Sequence, residues 1–186
     1  SGLHRYDGTR TANFVQDRGS PDALINDFIW DIQIASDGSV WVATDGGGVA
    51  RFDQRTGAFK HFNNRADDPA SLSSDAARSL FFDRSGQLWV GLRDAGVNRL
   101  DLATGKVTRY SESTEALPIP ATATVFDITQ SGDGRLWFAT NAGLFLMPAG
   151  NGAVQHYHRD AETDALRLAD NTVISVLAAS DGRLWI

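Results

Sequence analysis

Four of the five tryptophans stand 48 residues apart, at Trp41, Trp89, Trp137 and Trp185, each closing the same local phrase. The phrases are Asp37-Gly38-Ser39-Val40-Trp41, Ser85-Gly86-Gln87-Leu88-Trp89, Asp133-Gly134-Arg135-Leu136-Trp137 and Asp181-Gly182-Arg183-Leu184-Trp185. A fixed period between about 20 and 50 residues marks a solenoid, a propeller or an array. The content of one period separates these. Strand-like runs (Phe28 to Ile34, Ala77 to Phe82, Val125 to Thr129 and Val173 to Ala178) precede the phrases. A two-residue turn signal ending in glycine then predicts a hairpin, because glycine accepts positive φ without a Cβ clash.

The tryptophan opens a second strand in each unit. A third follows at Gly48 to Phe52, Gly96 to Leu100 and Gly143 to Leu146, and a fourth at Ala58 to Phe62 and Val107 to Tyr110. Four short strands joined by tight turns, then one longer connection, is the pattern of a propeller blade. Helical repeats need amphipathic stretches with a 3.6-residue period, and the chain has no convincing one beyond about two turns; Asp67 to Ala77 is expected to hold at most a single turn. The fold class is all-β, a β-propeller of four blade-length repeats, either a fragment of a larger ring or a four-bladed closure.

With strands lettered A to D from the inside outward, 1–186 reads as a single propeller segment. Residues 1–24 supply the C and D strands plus linker of a first blade, 25–72, 73–120 and 121–168 are full blades, and 169–186 supply the A and B strands of a last one. The final A–B pair is either completed by the opening C–D pair or left in an open arc. The start at Ser1 and the end at Ile186, in mid-strand, suggest an excised segment, since an unpaired edge is a liability.

Composition narrows the functions. The formal net charge is −6, with 23 acidic against 17 basic residues, which opposes generic binding to nucleic acid or anionic lipid. No cysteine is present, so disulfides and thiol chemistry are excluded and the compartment stays open. No signal peptide is evident, and no apolar run approaches the ~20 residues of a membrane helix.

The repeated unit, with its Asp-x-x-Gly-x-Leu-Trp phrase, its Gly-Val-x-Arg-Phe/Leu-Asp strand and its Thr-Gly turn, resembles the two-component regulator propeller family. The segment Asp67-Asp68-Pro69-Ala70-Ser71-Leu72-Ser73-Ser74-Asp75 is similar to that family's inter-blade linker. Two departures stand out: Gly143-Leu144-Phe145-Leu146-Met147 lacks the Arg-aromatic-Asp, and Asp170-Asn171-Thr172 replaces the longer linker. The resemblance implies a periplasmic or extracytoplasmic sensor region of a bacterial receptor. Its parent would carry a histidine kinase or diguanylate cyclase output, and its ligand in some gut bacteria is an oligosaccharide. No kinase signature, phosphate loop or cyclase motif lies in these residues, so the chain itself is expected not to be an enzyme.

Candidate chemistry is sparse. The phrase tryptophans suit packing between sheets. The Asp-Gly turns lack the alternating carboxylates of a calcium loop and fit Asx turns. His156 and His158 would share one face of a strand, but a third metal ligand is missing, and the repeat equivalents His61 and Arg109 suggest an outward-facing polar position. No nucleophile elbow or His-Glu-x-x-His motif is present, which leaves a propeller lyase or hydrolase only through groups converging from different blades. No cofactor or metal is expected.

Recognition is expected where loops cluster on one face of the disc. That face would carry Asp45, Gly46, Arg93, Asp94 and Asn141 from the B–C loops, and Trp30, Arg78 and Phe126 at the starts of the inner strands. The last three occupy one repeat position, with Ile174 as the fourth. Such divergence marks either function or inter-blade packing with Arg78 in a local ion pair. Beside them Asp31, Ser79, Asp127 and Ser175 form a polar ring expected to line a central channel. The ligand-binding candidates are therefore Trp30, Asp45, Arg78, Arg93, Asp94, Phe126 and Asn141. Partners would be a small molecule or oligosaccharide, neighbouring blades, or a second copy joined through exposed edges, the last serving a purely structural dimerisation role.

Overall fold

A computed structural model describes residues 1–110, 116–150 and 152–186. Three four-stranded antiparallel sheets lie between two two-stranded ones. The leading pair is β1 (Leu3–Tyr6) and β2 (Thr11–Phe14). The first full blade has β3 (Ile29–Ile34), β4 (Val40–Thr44), β5 (Gly48–Phe52) and β6 (Phe59–Phe62). The second has β7 (Ala77–Phe82), β8 (Leu88–Leu92), β9 (Val97–Leu100) and β10 (Val107–Tyr110). The third has β11 (Val125–Gln130), β12 (Leu136–Thr140), β13 (Gly143–Met147) and β14 (Gln155–Tyr157). A trailing pair follows, β15 (Leu177–Ala178) and β16 (Leu184–Trp185). Each sheet runs in sequence order, the meander expected of a blade. No helix among the described residues is long and apolar enough to cross a membrane.

The leading and trailing pairs form separate sheets, so the four-bladed closure is not made and the chain is an open arc. The trailing A strand is shorter than the run Val173 to Ala178, because β16 supplies no residue opposite 173–175. β13 forms despite its missing Arg-aromatic-Asp.

The hairpin turns differ from the two-residue expectation. The Ala35 N–H donates to Ser39 O and the Gly38 N–H to Ala35 O, which encloses three residues, and the same pair of bonds recurs from Asp83, Ser131 and Ala179. Gly38, Gly86, Gly134 and Gly182 occupy the left-handed position, with φ of 80°, 79°, 89° and 85°. This three-residue loop ends in a glycine bulge, so the same Asp-Gly or Ser-Gly signal serves both loop lengths. The aspartates do make Asx turns: Asp37 Oδ1 accepts the Ser39 N–H at 2.9 Å and Asp83 Oδ1 the Ser85 N–H at 2.9 Å.

The core consists of the spaces between blades. Trp41 packs with Leu80, Leu88 and Val90 of the second blade, Trp89 with Phe138 and Ile128 of the third, and Trp137 with Val173 and Val176 beyond it. Each indole N–H finds a turn oxygen: Trp41 on Ser39, Trp89 on Asp83 and Trp137 on Ser131. Trp185, at the same repeat position, is 59% exposed because no sheet lies against its side, whereas Trp89 is 1% exposed.

The linkers fold back over the outer strands. Gln16 and Leu24, Asn64 and Leu72, and His158 and Arg167 form equivalent parallel bridges. The third linker is therefore a full loop, with a single 3-10 turn at Asp164–Leu166, and Asp170-Asn171-Thr172 is only its last part. No helical turn forms over 67–77. His61, Arg109 and His156 are likewise not outward-facing. His61 Nε2 meets the Ala23 carbonyl at 2.9 Å, and Arg109 donates to the carbonyls of Asp68, Ser71 and Leu72. His156 Nε2 meets the Ala142 carbonyl at 2.7 Å. They hold loops against the blade edge.

Burial makes a direct prediction. Trp89→Ala should destabilise the chain by ~3–5 kcal/mol, as for other buried tryptophans, and Trp185→Ala by under about 1 kcal/mol. Denaturant midpoints of the two variants check this; equal losses would contradict the inter-blade role of the indole.

Candidate functional site

The inner strands β3, β7 and β11 share one irregularity. Ile29 pairs with Thr44 and Asp31 with Ala43, so Trp30 has no residue opposite it. The second blade skips Arg78 and the third Phe126 in the same way. A bulge of this kind frees its extra residue from the ladder and re-aims the side chain. The three divergent residues of the repeat are thus the three bulged residues, and they meet across blades. The Arg78 guanidinium carbon lies 3.4 Å from the centroid of the Trp30 ring and 5.7 Å from that of Phe126. Phe28 extends the row, its ring 4.8 Å from that of Trp30. Phe28 and Trp30 are exposed, at 55% and 39%. Arg78 is part-buried, and among the described residues its guanidinium forms no ion pair or hydrogen bond. The local ion pair expected of it is absent, replaced by cation–π stacking.

The B–C loops do lie beside the inner-strand starts: the N–H groups of Asp45, Arg93 and Asn141 donate to the carbonyls of Phe28, Ala76 and Thr124. Their side chains, however, are spent on one another. Arg93 grips Asp45 with both terminal nitrogens, at 2.8 Å and 3.0 Å. Thr124 is a hub. Its hydroxyl donates to Asp94 Oδ1 at 2.8 Å, and its N–H donates to Asn141 Oδ1 at 2.9 Å. Asp94 holds a positive φ of 53°, supported by its own N–H bonding the Thr124 hydroxyl. These four candidates brace the loop face, and Trp30, Arg78 and Phe126 line its open row. Phe28 and Thr124 escaped the sequence reading. Their shared repeat position, filled by Phe28, Ala76, Thr124 and Thr172, varies as much as the neighbouring one and held the signal.

The polar ring ties each inner strand to the next. Asp31 Oδ2 accepts the Leu80 N–H of the next blade at 2.8 Å, and Asp127 Oδ2 accepts the Val176 N–H at 2.9 Å and the Ser175 hydroxyl at 2.8 Å. The Ser79 hydroxyl donates to the Val125 carbonyl at 3.2 Å. Gly91 permits this approach, since a Cβ there would stand 2.2 Å from Ser79 Oγ and 2.8 Å from Val125 O. His156 and His158 do share a face, their rings 4.5 Å apart, but no set of three metal-ligating residues forms among the described ones. Burial lowers the His156 pKa and favours its neutral form.

Burial also raises the pKa of Asp31, against hydrogen bonds from Leu80 and Ile32 that lower it. The folded state therefore holds this proton more tightly than the unfolded one. The contribution is fully present below the unfolded pKa and is lost as pH rises through the raised folded value. Desolvation opposes ionising this carboxylate, and the N–H bonds it accepts offset that cost only in part. Asp31→Asn keeps one acceptor oxygen, for the Leu80 N–H, but turns an amide donor toward the Ile32 N–H, so it should lose some stability yet less than Asp31→Ala, as read by denaturant midpoints. Asp31→Ala orphans the Leu80 N–H and should lose ~1–3 kcal/mol. Equal destabilisation by both would contradict the stitch.

Comparison with known proteins agrees with this architecture. Residues 23–46 and 119–142 match the family model described as two component regulator propeller. No curated protein matches the chain in sequence. Among solved structures, the extracellular domain assigned to the hybrid two component system BT3049 of B. thetaiotaomicron superposes with a TM-score of 0.82 at 23% identity, over 99% of this chain and 24% of that one. The extracellular domain assigned to the one component system BT4673 of the same organism gives 0.76 at 20% identity, over 99% and 23%. The WD40 β-propeller domain of Doa1 gives 0.59 at 18% identity, over 84% and 46%. The chain spans about a quarter of the length of the first two structures. It is a β-propeller segment, two stretches of which match the two component regulator propeller model.

Proposed function

We propose that this segment is a non-catalytic recognition surface in the extracytoplasmic sensor region of a bacterial signalling receptor, and that it binds a small ligand, a carbohydrate, on its loop face. The observation that carries this reading is the row Phe28, Trp30, Arg78 and Phe126, built from one bulge repeated in three inner strands. Exposed aromatic rings offer flat apolar faces to a sugar ring, and a guanidinium among them offers donors. The strands behind are fixed by stitches and packed indoles, so the row is preformed and little ordering is needed on binding. The family match and the extracellular placement of the two similar bacterial domains support the sensor context. The row is open, and a separate concavity around Asp37, Arg51 and Asp53 lies at the opposite ends of the strands. Such a shelf suits a chain-like ligand better than an engulfed one.

Screening the chain against a glycan array, followed by calorimetry on the hits, tests the reading. At least one glycan class should bind, and Trp30→Ala should weaken it tenfold or more while leaving the thermal midpoint within a few degrees. An empty array, or hits indifferent to Trp30→Ala, would remove the proposal.

A further inference from the structure

The geometry points to a carboxylate-binding position at Arg78, so that the ligand of this face is an acidic sugar, one carrying a hexuronate. The inference rests on the recognition role proposed above and specifies what is recognised. Arg78 is part-buried in a protein of net charge −6, yet no described carboxylate pairs with it. The nearby acids are engaged elsewhere. Asp45 is held by both terminal nitrogens of Arg93, and Asp94 by Thr124. Asp31 accepts from Leu80 and Ile32, and Asp127 from Ile128, Ser175 and Val176. The other loop-face arginine, Arg93, already shows the arrangement that Arg78 lacks.

The stacking leaves Arg78 a defined way to bind. A guanidinium is flat, and its face is covered by Trp30 at 3.4 Å. Its N–H donors lie in the plane of the group, have no hydrogen-bond partner among the described residues, and form a fork that fits two oxygens of a carboxylate. The stack also limits the rotamers Arg78 must give up on binding. Next to this stack stands the exposed ring of Phe28, and Trp30 itself stays 39% exposed. A ligand that places a carboxylate at the fork and an apolar ring face on the aromatics is a pyranose with a carboxyl at C5. A neutral hexose would gain the stack alone.

Uniformly labelled protein titrated with D-glucuronate and D-galacturonate, against D-glucose and D-galactose, tests the assignment by NMR at the Trp30 indole and the Arg78 side chain. The uronates should shift these signals with affinity at least tenfold above their neutral counterparts. Arg78→Gln should abolish that preference, while Trp30→Ala weakens both classes. Equal binding of neutral and acidic sugars would overturn the carboxylate assignment and leave sugar recognition standing. Unperturbed Trp30 and Arg78 signals with all four sugars would also overturn it, and the glycan array then decides separately whether recognition stands. A preference for uronates that survives in Arg78→Gln, with the fold intact by its amide spectrum, would place the carboxylate elsewhere and refute the role of Arg78.

Discussion

Everything in this chain depends on how one blade lies against the next. A single antiparallel meander of four short strands cannot bury its own apolar surface. Here each sheet covers its neighbour, with an indole as the filling. Trp41 stacks on Phe62 of its own outer strand at 5.3 Å and meets Phe82 of the next blade edge-on at 6.1 Å. Trp89 does the same between Tyr110 and Phe138. Where no further sheet follows, the equivalent Trp185 and its pairing partner Leu177 stay exposed, and so do Ile32 and Ile34 on the opposite outer face. The contrast identifies the neighbour, not the strand itself, as what buries the tryptophan.

Packing fixes the spacing of the blades, and polar stitches fix their register. The carboxylates of Asp31 and Asp127 take the backbone N–H one residue beyond their own repeat equivalent in the next inner strand, and Ser79 does a similar task with a hydroxyl. These bonds sit beside the bulges that release Trp30, Arg78 and Phe126. The divergent residues are therefore held where the backbone is most constrained, which reconciles a variable surface with a rigid support.

Much of this was legible beforehand, for a physical reason. The 48-residue period, the strand order and the divergent position at the starts of the inner strands are local and repeated, so a chain aligned on itself displays them. Contacts between repeats are not displayed in that way. Nothing near Asp31 names Leu80 as the donor its carboxylate meets. His61 and Arg109 look like solvent-facing residues until the linkers are seen to fold over them, and His156 until the turn between β12 and β13 is seen to meet it. The candidate list held both braces and row because Asp45, Arg93, Asp94 and Asn141 share a face with Trp30, Arg78 and Phe126. Which side chains satisfy each other depends on distances between blades, and so does the absence of an ion-pair partner for Arg78 among the described residues.

The central claim is that the inner strands are stitched into one rigid support, and native-state hydrogen exchange reads it most directly. The amides of Leu80 and Val176, which have their acceptors in the neighbouring blade, should exchange as slowly as ladder amides such as those of Val42 and Val90. Leu80 and Val176 amides exchanging orders of magnitude faster, with the ladders still protected, would show blades that move independently and would contradict the account.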